Sequence, residues 1–168
     1  AAAEDTSEGK SEGKSEGKPE GKSEEQPGGQ KQDQVVLETS HILIATGSVP
    51  ACPPIPGSSL PGVVTSDGLL DKKDMFEHLI IIGGGVIGME FASVYSSLGH
   101  GVTVIEALDR ILPTMDKEIA QNLKMIMKKR NVDIHTGAKV EEILQTEDGK
   151  GLICRYTEKD KPCEARAD

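Results

Sequence analysis

No Val, Ile, Leu, Met, Phe, Tyr or Trp occurs before Val35, and apolar positions then arrive in short runs of changing period. Val35 to Leu37 reads as a short strand and His41 to Ala45 (HILIA) as a buried one, ending at Thr46-Gly47. Pro50, Pro53, Pro54, Pro56 and Gly57 then force an extended, irregular path, because each proline fixes its own φ and restricts its predecessor. Residues 58–77 read as a connector with one or two helical turns. From His78 strand and helix patterns alternate, the signal of a parallel sheet. Leu79 to Ile82 is continuously apolar, as in a strand covered on both faces. Ile87, Phe91, Val94, Tyr95 and Leu98 fall at helical spacing, with Gly99 suited to the helix end. Val102 to Ile105 is a second strand. Ile119, Leu123, Ile126 and Met127 mark a second helix, with Asp116 and Glu118 at its start and Lys128, Lys129 and Arg130 at its end. Val132 to His135 forms a third strand. Lys139 to Gln145, Leu152 to Tyr156 and Pro162 to Arg166 then alternate as an antiparallel meander, with Asp148-Gly149 at a turn.

Composition separates the first 34 residues from the rest. They carry nine acidic residues against five lysines and repeat SEGK, SEGK, SEGK, PEGK from Ser7 to Lys22. Gly9, Gly13, Gly17 and Gly21 would line one helical face at a cost of about 1 kcal/mol each against Ala. The segment is therefore expected to be a disordered tail or loop insertion. A net charge of −9 without a basic cluster argues against a nucleic-acid partner. No apolar run approaches a bilayer-spanning length, so no membrane partner is expected. AAAEDTSEGK lacks the order of a signal peptide, and the chain reads as soluble and cytoplasmic. Cys52, Cys154 and Cys163 are odd in number and widely spaced, as ordinary reduced thiols are.

Gly83, Gly85 and Gly88 form G-x-G-x-x-G between a strand and a helix. The next strand ends in Glu106, 18 residues beyond Gly88. This βαβ unit with its acid is the dinucleotide fingerprint. Gly83 permits the tight turn, Gly85 lets backbone approach a pyrophosphate, and Gly88 lets helix and strand pack closely. The helix N-terminus presents free N–H groups to the phosphates. Glu106 can accept both adenosine ribose hydroxyls and repels a 2′-phosphate. Two like charges about 4 Å apart cost about 4 kcal/mol at an effective dielectric near 20. NAD(H) is thus expected over NADP(H). Arg110 softens that repulsion or pairs with Asp109 or Glu106 at the surface. Glu90, in the first turns of the helix, reads as helix-start electrostatics or as facing a cation or redox centre.

HILIATGSVPACPPIPG, TSDGLL, LIIIGGGVIGMEFA, VTVIEALDRILPTMDKEIA and KVEEI, in that order and spacing, resemble the pyridine nucleotide–disulfide oxidoreductases, the dihydrolipoamide dehydrogenases above all. The resemblance runs from about Val35 to the C-terminus. It implies an α/β fold: a Rossmann-like FAD/NAD(P)-binding domain with a parallel sheet, helices and an antiparallel meander. It places Thr46, Gly47 and Ser48 by FAD. It makes Gly83, Gly84, Gly85, Val86, Ile87, Gly88, Met89 and Glu90 the NAD cradle, Glu106 the ribose acceptor and Val140 a neighbour of the adenine. Glu90 would match the family's carboxylate that pairs with a lysine close to the flavin. The family's first glycine-rich FAD fingerprint, its C-x-x-x-x-C redox pair and its dimerisation domain with a His–Glu pair have no match here. The expectation is an internal, incomplete piece. Residues 1–34 are its tail, 35–57 the end of a FAD-binding domain, 58–77 a connector and 78–168 a truncated NAD-binding domain. No catalytic or metal-binding residue is expected within the chain, which alone would be inactive. The parent is expected to be a homodimeric flavoprotein that carries electrons from a lipoyl-bearing protein, through a disulfide and FAD, to NAD⁺. A parent of the NADH oxidase, coenzyme A disulfide reductase or mercuric reductase type stays open, as does a stand-alone NAD-binding module. The edge of the Leu79 to Ile82 strand is expected to be unpaired, since the family's neighbouring strand comes after the residue matching Asp168.

Overall fold

The computed structural model describes residues 35–168, so the expectations for the SEGK repeat lie outside the described residues. The chain divides into two units, 1–45 and 46–168. In the first unit, the described residues 35–45 form no strand, contrary to both sequence expectations. Ile42, Leu43 and Ile44 are 80–90% exposed. An apolar run becomes a strand only beside a partner that takes its N–H and C=O groups, and the described part of this unit supplies none.

In the second unit the elements follow chain order. They are α1 (Ser66–Leu70), β1 (His78–Ile82), α2 (Val86–Ser97), β2 (Gly101–Glu106), α3 (Lys117–Lys129), β3 (Val132–Thr136), β4 (Ala138–Gln145), β5 (Leu152–Glu158) and β6 (Lys161–Ala167). β1, β2 and β3 form a parallel sheet in that order, and β4, β5 and β6 an antiparallel one. Alternation along the central strands separates two cores. Val102 and Val104 join Leu79, Met89, Ala92, Tyr95, Ala120 and Met127 between the parallel sheet and its helices. Ile105 instead packs with Ala138, Cys154 and Tyr156 of the meander. The parallel sheet is thus sandwiched between two helices and a second sheet.

β2, flanked on both sides, is buried from Val102 to Glu106. β1 is covered less than expected: only Leu79 is fully buried, and Ile82 is 42% exposed. Among the described residues β1 pairs with β2 alone, so its other edge is free. At the start of that edge the Asp168 carboxylate accepts from the N–H groups of Glu77 (2.9 Å) and His78 (2.6 Å). Burial pushes the Asp168 carboxyl up, but these donors outweigh it and hold it below its ordinary value.

The helix α2 is apolar on more than one side, and its spacing identifies the packed face only in part, through Tyr95. Met89, Ala92 and Tyr95 face the core, whereas Ile87, Val94 and Leu98 of the expected stripe are more than half exposed. A helix apolar all round carries no preferred face in its sequence. In α3 the polar face is clear. Asp116 caps it by accepting from the Glu118 N–H at 2.8 Å, and Lys128 and Lys129 close it. Ala120 and Met127 are buried, while Ile119 and Ile126 of the expected stripe are about half exposed.

Candidate functional site

The turn from β1 to α2 shows what each glycine does. Gly83 has φ 113°, in the left-handed region that a side chain resists. A Cβ on Gly88 would collide with the Gly83 carbonyl and lie 3.1 Å from Ile81 Cγ2, so close packing of helix on strand requires it. Gly85 differs. Its φ is −73° and a Cβ there would meet nothing within 4 Å. Neither backbone nor packing demands a glycine, yet the position faces open space at the helix N-terminus. Among the described residues no side chain caps α2, and no acid lies in its first turn. Its leading N–H groups therefore lack intrahelical acceptors and carry the positive end of the helix dipole.

Glu106, at the end of β2, is only 8% exposed. Its Oε2 accepts from the Gly84 N–H at 2.6 Å and its Oε1 from the Leu108 N–H at 2.7 Å. The carboxylate therefore stitches the glycine turn to the segment after β2. A return stitch runs from the Leu112 N–H to the Gly84 carbonyl at 2.8 Å. Gly84 is enclosed: a Cβ there would come 2.9 Å from Ile111 Cγ2 and 3.1 Å from Glu106 Cβ. A carboxylate offers about four lone-pair sites. Two are used, so each oxygen can still accept a hydroxyl without releasing its backbone donor. Leu112 takes φ 48° while 6% exposed, which is uncommon for a leucine. The Gly137 N–H donates to the Leu108 carbonyl at 2.6 Å, tying the β3–β4 turn to the same segment.

Arg110 pairs with neither Asp109 nor Glu106. Its Nη2 donates to the Pro113 carbonyl at 2.7 Å, while Nη1 is buried and finds no acceptor among the described residues. An unpaired buried donor costs about 1–3 kcal/mol. Glu90 is exposed on α2 and makes no ion pair or side-chain hydrogen bond among the described residues. Val140 is half-buried against the Ile105–Tyr156 cluster, just before a bulge between Val140 and Glu142. Thr46, Gly47 and Ser48 are exposed in irregular backbone, and Gly47 has φ 74°. The fold thus brings Gly84 and Glu106 together with Leu108, Ile111 and Leu112. The last three contribute backbone groups and packing, which no side-chain motif signals.

A cavity of about 600 Å³ runs along the free side of β1 to the glycine turn, where Gly83, Gly85, Ile87 and Phe91 line it. Glu106 is not among its walls. Cys154 lines it, and burial pushes that thiol up to about 11, which keeps it protonated at neutral pH. All three cysteines are free. Among the described residues no group of three or more His, Cys, Asp or Glu is placed to hold a metal, and no helix is long and apolar enough to cross a membrane.

Comparison with known proteins gives this geometry a family. The probable pyridine nucleotide-disulfide oxidoreductase RclA of Escherichia coli is 47% identical over 103 residues, covering 61% of this chain and 23% of that protein. The dihydrolipoyl dehydrogenase of Bacillus subtilis is 42% identical over 118 residues, covering 69% and 24%. The chain therefore spans about a quarter of the length of the curated relatives it matches. Among solved structures, the Cu(II) complex of the HOCl-induced flavoprotein disulfide reductase RclA from Escherichia coli superposes with a TM-score of 0.63 at 39% identity, over 73% of this chain and 27% of that one. The water-forming NADH oxidase from Lactobacillus brevis bound to NADH gives 0.58 at 26% identity, over 71% and 27%. The profile described as Pyridine nucleotide-disulphide oxidoreductase matches residues 10–166 of the 168, and the chain belongs to that family of oxidoreductases.

Proposed function

We propose that this chain is the NAD(H)-holding segment of a flavoprotein disulfide oxidoreductase of the dihydrolipoamide dehydrogenase type. The observation that carries the reading is Gly85, which the protein's own packing does not require and whose open face lies at an uncapped helix N-terminus. Backbone N–H groups there would take the pyrophosphate. Glu106, held by two backbone donors with lone pairs to spare, would accept the adenosine ribose hydroxyls and disfavour a 2′-phosphate. Val140 would border the adenine. Glu90, exposed and unpaired among the described residues, would face a lysine of the parent near the flavin. Thr46, Gly47 and Ser48 would lie by FAD. The domain bounds expected above, with an NAD-binding domain over 78–168, belong to this reading.

Nicotinamide and flavin supply the hydride and electron chemistry when bound, and the protein supplies orientation and electrostatics. The overall conversion is dihydrolipoamide plus NAD⁺ to lipoamide, NADH and a proton, on a homodimeric parent that takes a lipoyl-bearing protein as substrate. Cys52, Cys154 and Cys163 are not a redox pair, and Cys154 is buried. The chain alone is therefore expected to bind NAD⁺ without reducing it. Calorimetric titration with NAD⁺ and NADP⁺ tests the cradle, and equal affinity for the two would sink the Glu106 argument. A second reading, a disulfide reductase of the RclA kind, draws on the 47% identity to that protein. Dihydrolipoamide-dependent NAD⁺ reduction by the full-length parent separates the two.

A further inference from the structure

We infer that the cleft between Asp109–Ile111 and one face of α3 is an oxyanion site, suited to a phosphate group and separate from the dinucleotide cradle. The cleft holds about 430 Å³. Its polar walls are Asp109, Arg110, Lys117, Gln121 and Lys124, over apolar contributions from Ile111 and Ala120. Lys117, Gln121 and Lys124 stand four and three residues apart, which stacks them on one side of the helix. Three cations thus face one carboxylate, in a chain whose net charge is −9.

The donors are held but not used up. Lys124 Nζ gives one bond to Thr136 Oγ1 at 3.1 Å, leaving two N–H groups of the ammonium. Arg110 spends Nη2 on the Pro113 carbonyl, while its buried Nη1 has no partner among the described residues. An oxyanion drawing Arg110 toward the cleft would supply the acceptor that Nη1 lacks. Arginine's planar fork and the point charges of lysine suit phosphate oxygens, and charge-assisted bonds of this kind are about twice as strong as neutral ones. The buried floor of Ile111 and Ala120 limits competing water. The N-terminus of α3 is not the attraction, because Asp116 already accepts from Glu118 N–H. No wall residue is shared with Gly83 to Glu90 or with Glu106. The volume exceeds a bare phosphate, so inorganic phosphate and a phosphate monoester share the chemistry that fits.

The test is an amide-resolved NMR titration of the ¹⁵N-labelled chain with sodium phosphate and, separately, with glycerol 3-phosphate. Chloride holds ionic strength constant, so that screening does not mimic binding. Saturable shifts are expected at residues 109–111 and 117–124, with a Kd of about a millimolar. Tighter binding of the ester would identify a phosphorylated metabolite as the ligand class, weaker binding would identify free phosphate, and equal binding would show that the site reads the phosphate group alone. Arg110→Gln should weaken binding but also removes the bond to Pro113. Lys117→Gln, at an exposed position, keeps the fold and should weaken binding about tenfold. NAD⁺ should leave the phosphate affinity unchanged. Non-saturating shifts reproduced by chloride, an unchanged affinity in Lys117→Gln, or competition by NAD⁺ would each overturn the proposal.

Discussion

Replacing Glu106 by Ala removes a side chain that bonds both the glycine turn and the segment after β2. Two donors, the N–H groups of Gly84 at 2.6 Å and Leu108 at 2.7 Å, lose their acceptor at a position 8% exposed. Hydrogen bonds to a charged group are worth about 1.5–3 kcal/mol each. The space vacated borders solvent, and water entering it recovers part of that. A net loss of about 2–4 kcal/mol follows, a large share of the roughly 5–15 kcal/mol by which a domain is stable. Melting should fall by roughly 10 °C. Glu106→Gln should cost less, since one amide oxygen still serves one N–H while the NH₂ group opposes the other. The same change acts on ligand choice. Losing a repulsion of about 4 kcal/mol should narrow any preference for NAD⁺ over NADP⁺ by at most about a thousandfold. Urea unfolding followed by circular dichroism measures the first effect and calorimetry, below the variant's melting temperature, the second. If Glu106→Ala unfolds within about 0.5 kcal/mol of the parent chain, the two stitches contribute nothing and the argument fails.

Gly88→Ala and Gly85→Ala should separate folding from binding. The first forces a clash with the Gly83 carbonyl and should cost more than about 2 kcal/mol in urea unfolding. The second meets nothing within 4 Å and should leave stability within about 0.5 kcal/mol while weakening NAD⁺, so matched stabilities for the two variants would refute the division of roles. Asp168, with its carboxyl held below 3.8, adds stability that is present above that pH and is lost as pH falls through the lowered folded value. Acid unfolding of Asp168→Asn should lack that component, and a profile identical to the parent chain would count against the bonds to Glu77 and His78. Brief iodoacetamide treatment of the native chain should label exposed Cys52 and spare Cys154, whose thiol sits at about 11, and mass spectrometry showing the reverse would contradict its burial.

Some of this architecture is legible in the residues alone. The βαβ unit from His78 to Glu106 is readable because its glycines have different steric duties at fixed offsets and its strands change period at the helix. The bounds of α3 are readable because Asp116 and its terminal lysines act on their own helix. The meander is readable because alternation and turn residues are local. Tertiary structure decided the rest. HILIA carries every local mark of a strand, yet it forms none and stays exposed, because pairing depends on a partner and not on the run itself. The face of α2 that packs is set by what the sheet offers to Met89, Ala92 and Tyr95, since the helix is apolar on several sides. Glu106 announces itself by spacing, but its hold on Gly84 and Leu108 does not. Those donors are backbone groups present at almost every residue, and only the folded chain determines which of them meet the carboxylate.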